Sequence, residues 1–487
     1  MDFNHLLSGV PAILCALMIL WISASGANAQ SQQEITRSLI DELEPLDRPL
    51  DGRLPIRGSR MGNWLPDDDA EAKQVLQDLY ERGIALCCHW RPGNRFEENL
   101  KSSLRLGRLQ QELGLSVGVN ANSCMHTFFN GDKDTLHVAE DGSTFHDDSF
   151  GKRKMGCPFR LQHRKEDIKQ QFRQFLDAYT EAGVDVDFMY LDWEIDGPIE
   201  WNEAWDHSKR CTVCRENVPD IDNFFSFQHA LREIRCELQR ECCVDVVQEY
   251  FPDILVSNYS VYPNNGWRYW YDYYEEVTPG TPYLPDQQAR YRPWYQEFFK
   301  SGYTFANPVC YTWYRTFDWY PEFENDDYRW FYNMLLVGTN AAENTPQDVP
   351  LINWVHWHTT APPSDAAPVP QFSQEKYVEL LWHYFLRGTD GLMMWCRAEE
   401  TVIEVRLMQQ VLNGTLQYRE FFEDGRPVLF DVPDTPGPVV SGMRLDDRVL
   451  VRRTDFTDNT DPVTVVIGGH SLDIPARPGV CQVLELE

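Results

Sequence analysis

Three carboxylic acids alternate along one short apolar stretch of the chain, VDFMYLDWEIDGP, as Asp192, Glu194 and Asp196. Side chains on a β-strand point to alternate faces, so these acids share a face with Tyr190 while Trp193 points away. Two carboxyl groups two residues apart on one face can share a proton, which raises the apparent pKa of one of them. A carboxyl that stays protonated near neutral pH can act as a general acid on a leaving oxygen. The stretch therefore predicts an acid/base pair; the alternative is a solvated strand end, or carboxylates paired with Arg.

Short apolar runs alternate with amphipathic helical stretches over most of the chain after residue 80. Such a repeated order predicts parallel βα units. The number of runs favours a closed TIM-like (β/α) barrel of seven or eight strands over an open sheet. The apolar runs are IALCCHW, LSVGVNANS, DFMYLDWE, DILVSNYSVYP, NPVCYTWY, PLINWVHWH and DGLMMWC.

Polar or aromatic residues end these runs, and active sites of βα barrels lie at the carboxyl ends of the strands. We therefore expect the end residues to meet around one site. They are His89, Trp90, Asn120, Glu194, Tyr259, Trp313, His356 and Trp395. His356 and His358 share a face, where they line a cleft or bond to backbone groups. Packing is the favoured role for Trp313, with sugar contact as the alternative.

The ends of the chain differ in texture from the predicted barrel, which covers residues 30–420. Residues 1–29 resemble a signal peptide, with an apolar core and a small-x-small pattern at Ala27–Ala29. We therefore expect a secreted or periplasmic protein without a membrane span after signal removal. Residues 421–487 alternate apolar and polar positions between Pro, Gly and Asp, which predicts a small antiparallel, sandwich-like β domain.

The formal net charge of −31 lacks the basic footprint of a nucleic-acid-binding protein. No GxGxxG follows a predicted strand and no GxxxxGK[ST] is present, which counts against nucleotide binding. The sequence predicts neither a cofactor nor a catalytic metal, and it leaves the oligomeric state open.

Twelve cysteines remain once Cys15 of the predicted signal is removed from the total of 13. An even number in an exported chain predicts disulfides, whose pairing the sequence leaves open. Cys211 and Cys214 form a CxxC motif with His207 nearby, a pattern that also suits zinc. A local disulfide or free thiols is the favoured interpretation of that motif.

Several segments, in order, resemble the hyaluronidase family of glycoside hydrolases. LDWE at 191–194 is similar to its DWE signature, and PIEWNEAWD at 198–206 to the segment after it. Further matches are SNYSVYPNNGWRYWYDYY at 257–274, VCYTWYRTFDWYP at 309–321 and GTDGLMMWC at 388–396. The acidic strand also resembles that of the chitinase family. Both are barrel families that cut beside an N-acetylhexosamine and use the acetamido group of the substrate as nucleophile.

The resemblance implies a role for each matching residue. Glu194 would be the acid/base, and Asp192 would hold the acetamido nitrogen. Tyr259 would bond the acetamido oxygen, and Trp395 would form the floor under the sugar. Asp196 stands where the family has Trp, beside the cleft expected to bind sugar.

Two other functions remain open. The first is a glycosidase acting on a glycan without an acetamido group, with Asp192 or Asp196 as the second carboxylate. The second is a carbohydrate-binding barrel without turnover. In each case the predicted partner is a polysaccharide or oligosaccharide.

Overall fold

The structure is a computed structural model. It describes residues 28–58, 61, 64–125, 133–148, 156–160, 162–193, 205–259, 276–277, 289–290, 299–312, 317, 320–359 and 368–486. Glu194, Asp196 and Trp313, together with residues 1–27 of the predicted signal peptide, lie outside these ranges. The roles predicted for them stay predictions.

The strands lie mostly in the parallel part of the chain up to Met394 and in an antiparallel part after it. They are β1 Arg57–Gly58, β2 Cys87–His89, β3 Gly118–Asn120, β4 His137–Val138, β5 Thr144–Phe145, β6 Phe188–Leu191, β7 Leu255–Asn258, β8 Glu276–Val277, β9 Ala289–Arg290, β10 Val309–Tyr311, β11 Ile352–His356, β12 Gly391–Met394, β13 Arg426–Leu429, β14 Val439–Leu445, β15 Arg448–Thr454, β16 Val463–Ile467, β17 His470–Ile474 and β18 Cys481–Glu485.

Helices separate most of the parallel strands, as the sequence predicts for βα units. The α-helices are Asn28–Glu42, Asp69–Glu81, Phe96–Glu112, Asn122–Met125, Gln162–Glu181, Trp205–Lys209, Thr212–Asn217, Phe224–Gln239, Asp245–Tyr250, Asp326–Asn344, Gln374–Leu386, Thr401–Thr415 and Arg419–Asp424. Side-chain caps start several of them; for example, the Asp68 carboxylate accepts hydrogen bonds from the backbone N–H groups of Ala70 and Glu71.

Two four-stranded parallel sheets carry eight of the strands up to Met394, in the orders β2-β3-β6-β7 and β1-β12-β11-β10. The remaining strands of this part form two antiparallel pairs, β4 with β5 and β8 with β9. In the first sheet Cys88, Val119, Met189 and Val256 lie side by side in register. Parallel strands in register bring their carboxyl ends to one edge, so the residues that follow β2, β3, β6 and β7 meet there.

Backbone hydrogen bonds also run between the two sheets. At one edge Ile56, beside β1, forms a parallel bridge with Ile84, beside β2. At the opposite edge the Thr304 N–H donates to the carbonyl of Val256 on β7 at 2.9 Å. The parallel α/β architecture predicted from the sequence is therefore observed, as two sheets that such local contacts connect.

The strands separate two cores, one between them and one beneath the helices. On β6, Phe188 and Tyr190 belong to the inner core, while Met189 and Leu191 pack in the outer core with Trp193. The alternation predicted for this strand is confirmed for these residues. The inner core draws on both sheets and comprises Cys87, Phe188, Tyr190, Tyr259, Phe305, Val309, Ile352, Trp354 and Met393.

An antiparallel sheet in the order β13-β14-β15-β18 ends the chain, with β16 and β17 as a separate hairpin. The antiparallel C-terminal region predicted from the sequence is therefore confirmed. A buried ion pair joins it to the parallel part, because Arg452 on β15 donates to both oxygens of Glu379 at 2.7 and 2.8 Å. His383, one turn further along the same helix, lies 2.7 Å from the Ser441 hydroxyl.

Within the described residues, no helix is both long enough and apolar enough to cross a bilayer.

Candidate functional site at the carboxyl ends of the parallel strands

The backbone that follows Asp192 is held in place at Trp193. The Trp193 N–H donates to the Asn258 side-chain oxygen at 2.9 Å, and the Asn258 amide donates back to the Trp193 carbonyl at 3.1 Å. Arg235 also donates to that carbonyl, at 2.8 Å, with its guanidinium 4.7 Å from the centroid of the Trp193 ring. The indole is buried, so these contacts together fix the backbone directly after Asp192.

Asp192 follows the inner face of β6 and is half-buried. Its inner-face neighbour Tyr190 is fully buried, and its hydroxyl accepts a hydrogen bond from the Asn120 amide at 3.0 Å. Burial raises the pKa of Tyr190 well above its ordinary value, and the negative charge of Asp192 adds to this effect. Tyr190, for which substrate contact was predicted, has no exposed surface and packs against Trp354, so its contact with substrate stays a prediction.

A chain of aromatic contacts crosses from the first sheet to the second. The ring of Trp354 lies edge-on to Tyr190 at 5.5 Å and to Tyr259 at 5.7 Å. Tyr259 in turn lies edge-on to Tyr311 at 6.2 Å, and Tyr311 stacks against Trp395 at 6.0 Å with planes 29° apart. Predicted ligand residues Tyr259 and Trp395 thus lie in one aromatic cluster, at the ends of strands from different sheets.

Tyr311 and Trp395 are the half-buried members of this cluster. Among the described residues of the cluster, the rings of Tyr311 and Trp395 are therefore the most accessible to a ligand. An apolar sugar face stacks on rings of this kind. Sequence reasoning missed Tyr311 and Trp354, although each lies two positions before a residue that it selected, Trp313 and His356.

His356, at the end of β11, is buried beside Trp395, with ring centroids 4.9 Å apart. Its Nε2 lies 3.6 Å from one oxygen of Glu400, and Nε2 of His358 lies 3.4 Å from the other. Burial lowers the pKa of His356, and the Glu400 carboxylate opposes that change only in part. Both imidazoles thus approach the same carboxylate, Glu400, and His356 is buried. Its predicted contact with a ligand stays a prediction.

Two acidic side chains with limited exposure, Glu400 and Glu404, lie behind this end of the cluster. Burial raises the pKa of Glu400, but its interactions with His356 and the Arg397 N–H outweigh burial and leave the pKa lowered. Glu404 accepts hydrogen bonds from the Trp357 N–H at 2.9 and 3.0 Å. Complete burial raises the pKa of Glu404 to about 7. No periodic pattern in the sequence marks either acid as a support for β11.

Asp187, just before β6, has a structural role. Its carboxylate accepts a hydrogen bond from the Val117 N–H at 2.7 Å, at the start of β3. The carboxylate therefore aligns β3 with β6 from the amino end. It takes no part in the arrangement at the carboxyl end, where Asp192 lies.

The cysteines are not arranged as the sequence predicted. All twelve from Cys87 to Cys481, which lie in described segments, are buried thiols rather than disulfides. The alternative of zinc held by His207, Cys211 and Cys214 does not fit the structure, because His207 lies 3.3 Å from Asp147 and 3.1 Å from Asp148.

A groove of about 540 Å³ lies on another part of the molecule, between the helix Gln374–Leu386, the helix Thr401–Thr415 and the C-terminal sheet. Its lining includes Trp382, Tyr418 and Arg452. Since none of the strand-end residues lines it, we place the candidate site at the aromatic cluster and Asp192 instead.

No known protein-family model matches the chain, and no curated protein matches its sequence significantly.

Among solved structures, an alpha-galactosidase from Geobacillus stearothermophilus in complex with raffinose is similar at 12% identity and a TM-score of 0.43, over 89% of this chain and 55% of that one. An alpha-L-fucosidase from Paenibacillus thiaminolyticus is similar at 11% identity and a TM-score of 0.43, over 77% of this chain and 51% of that one. An alpha-amylase from Lactobacillus plantarum is similar at 11% identity and a TM-score of 0.43, over 89% of this chain and 97% of that one. The chain thus spans about half the length of the first two. Similarity at this level leaves the function to be argued from the site itself.

Proposed function

We propose that the protein is a secreted glycoside hydrolase that cleaves a polysaccharide beside an N-acetylhexosamine, with retention at the anomeric carbon. The observation that carries the proposal is the placement of Asp192. It is a half-buried acid directly after β6, close enough to Tyr190 of the aromatic cluster for its charge to raise the pKa of that phenol, and both sheets contribute to the cluster. An acid beside stacked rings suits a sugar whose charge develops during cleavage.

The eight parallel strands support a closed (β/α) barrel around this site. The Ile56–Ile84 bridge and the Thr304–Val256 hydrogen bond join the two sheets at opposite edges, and both sheets contribute to one inner core. In such a barrel the carboxyl ends of all strands surround one mouth. The ends of β3, β6, β7, β10, β11 and β12 would then face the same substrate.

In the proposed reaction, Glu194 donates its proton to the leaving glycosidic oxygen. The acetamido oxygen of the substrate attacks the anomeric carbon, and Asp192 stabilises the positive charge that develops on the acetamido nitrogen. Glu194 then removes a proton from water, whose oxygen opens the cyclic intermediate and restores the acetamido group. Two displacements at one carbon give net retention.

Aromatic residues hold the sugar in this proposal. Trp395 lies beneath the sugar with its face supported by Tyr311, and the Tyr259 hydroxyl donates to the acetamido oxygen. Tyr190, Trp354 and His356 support these rings from behind, since all three are buried. Asp196 and Trp313 would contact neighbouring sugar units.

The decisive experiment is Glu194→Gln, assayed on a panel of N-acetylated polysaccharides with analysis of the products. We expect kcat to fall by roughly 10²–10⁴-fold while glycan binding persists, because the amide keeps the shape but has no acidic proton. Glu249→Gln is the control, since Glu249 is exposed on a helix of the outer layer. Full activity of Glu194→Gln would contradict the proposal.

A second measurement tests the part played by the acetamido group. Substrate assistance requires that N-acetylated polysaccharide be cut and its de-N-acetylated form be spared. Equal cleavage of both would exclude it and favour Asp192 or Asp196 as a second carboxylate. Binding without release of reducing ends at any pH would favour a binding protein without turnover.

Secretion is a separate part of the proposal. Residues 1–29 would be removed on export, so we expect the mature protein to begin at Gln30. N-terminal sequencing of the protein from its native host checks this, and retention of Met1 would contradict it.

A further inference from the structure

Three thiols and one imidazole meet in the connections that follow β3 and β6. The Sγ atom of Cys157 lies 3.4 Å from that of Cys214 and 3.9 Å from that of Cys211. Nδ1 of His137 lies 3.8 Å from the Cys214 Sγ. One donor atom from each of the four residues falls within 4.8 Å of all the others.

These spacings match the edges of a zinc tetrahedron. Zinc lies about 2.3 Å from thiolate sulfur and about 2.0 Å from imidazole nitrogen, so neighbouring ligand atoms are roughly 3.5–3.8 Å apart. The observed separations of 3.4, 3.8 and 3.9 Å lie close to that range. A Cys₃His set with no open position is typical of a structural zinc site.

Backbone contacts hold the three donor-bearing segments together. The Val138 N–H, next to His137, donates to the Cys211 Sγ at 3.4 Å, which favours the thiolate that a metal requires. The Cys157 N–H donates to the Thr135 carbonyl at 2.8 Å, and the Thr212 hydroxyl donates to the Val138 carbonyl at 3.2 Å. The donors are thus positioned by the fold and not by chance contact of long side chains.

The core around the four donors is small. All four are fully buried, and three of the seven buried residues in this cluster are the cysteines themselves; the others are Val218, Ile221, Phe227 and Leu231. A core of this size gains little free energy from apolar burial, so a bound metal would add substantially to the order of these connections. Phe145 covers one side by stacking on His137 at 5.1 Å.

Neither a disulfide nor a purely apolar role for the thiols accounts for the whole geometry. A disulfide between Cys157 and Cys214 needs the sulfurs to approach from 3.4 Å to about 2.05 Å, and it would leave Cys211 and the imidazole without a role. Thiols acting only as small apolar groups agree with the burial. That role does not account for a polar imidazole buried against them.

We propose that His137, Cys157, Cys211 and Cys214 bind one zinc ion at a closed structural site. His137 and Cys157 lie in the connection from β3 to β6, and the other two ligands lie in the connection from β6 to β7. The ion would therefore join the two connections that flank the carboxyl end of β6. Zinc binding here does not depend on the glycosidase proposal, because no catalytic step involves these four residues.

Metal content of the full chain tests the proposal. The protein is expressed in zinc-supplemented medium, purified in reducing buffer without chelator, and measured by inductively coupled plasma mass spectrometry. We expect close to one zinc per chain, and roughly a tenth of that or less in Cys214→Ser. Cys124→Ala is the matched control, because Cys124 is an equally buried thiol elsewhere, with its Sγ 3.8 Å from the Gln171 carbonyl; it should keep its zinc.

Cobalt substitution of the wild-type chain gives a readout that needs no variant. Co²⁺ bound at this site should show visible bands of a tetrahedral ion and near-ultraviolet absorption from thiolate-to-metal charge transfer. Zinc-free protein whose thiols are all reduced, as alkylation after denaturation shows, and which lacks these bands after Co²⁺ addition, would overturn the proposal. So would a zinc-free native protein in which Cys157 and Cys214 are recovered as a disulfide.

Discussion

Asn258 and the backbone of Trp193 exchange two hydrogen bonds, at 2.9 and 3.1 Å. Asn258 is the last residue of β7, and Trp193 lies two residues after the end of β6. The two hydrogen bonds therefore join these neighbouring strands directly beside Asp192. A side chain on one strand thereby fixes the direction in which the next strand presents its acid.

Asn258→Ala should reduce turnover more than substrate binding. It removes both bonds to Trp193 and lets the segment carrying Asp192 and Glu194 shift, and a misplacement of about 1 Å costs roughly 10²-fold in rate. We expect kcat to fall by about 10–100-fold, with a smaller change in KM. Steady-state kinetics on the substrate found with the glycan panel measures both quantities.

Asn307→Ala is the control for this prediction. Asn307 is also a buried amide, and it donates to the Ile352 carbonyl at 2.7 Å, away from Asp192. Its loss should destabilise the protein to a similar degree. An equal fall in kcat for both variants would show that Asn258 acts through general stability alone.

Trp395→Ala should weaken sugar binding. The half-buried indole is supported by Tyr311, which stacks against it. The substitution removes the ring on which the sugar would stack, and an aromatic stacking contact contributes about 0.5–1.5 kcal/mol. We expect KM to rise by about 3–10-fold, with Trp395→Phe closer to the wild type. Trp64→Ala is the control, since Trp64 is also half-buried but packs beside Arg37; if it raised KM equally, the assignment of Trp395 would fail.

Glu404→Gln should change how stability depends on pH. Burial raises the pKa of Glu404 from 4.5 to about 7, so the folded chain binds this proton more tightly than the unfolded chain does. The stabilisation from this group is complete below pH 4.5 and is lost as pH rises toward about 7. Denaturant unfolding across that interval should show a shallower decline for Glu404→Gln than for the wild type; identical slopes would contradict the prediction.

Glu379→Ala should destabilise the contact between the helix Gln374–Leu386 and the C-terminal sheet. It leaves the Arg452 guanidinium buried without its partner, which costs about 3–5 kcal/mol. Glu420→Ala is the matched control, because Glu420 also accepts two hydrogen bonds from the guanidinium of an Arg on β15, Arg448, but in an exposed position. Urea unfolding should show a large loss for the first variant and little change for the second.

Local patterns in the sequence predict part of the secondary structure, but not β1 or the short antiparallel pairs β4-β5 and β8-β9. Alternation along β6 placed Tyr190 inward and Leu191 outward, and the texture after residue 421 predicted the antiparallel sheet. Both depend on a period of two residues, which any strand imposes on its own side chains.

Contacts between distant segments were not predictable in this way. His137 and Cys157 are 74 and 54 residues before Cys211 in the chain, so the CxxC motif pointed to the nearer His207 instead. The disulfides predicted from the even number of cysteines are not observed. An even number carries no information about the distances between thiols in the fold. Burial of Tyr190 and His356 likewise depends on Trp354 and Glu400, which approach from other strands and loops.

The buried ion pair between Arg452 and Glu379 also constrains how the sequence of this protein can evolve. Burying either charged group without its partner would lower the stability of the fold. Replacing the C-terminal sheet by the corresponding piece of a homologue must therefore keep both partners or remove both. The C-terminal sheet is therefore hard to exchange between homologues by itself. We expect position 452 to covary with position 379, on a helix some seventy residues earlier in the chain.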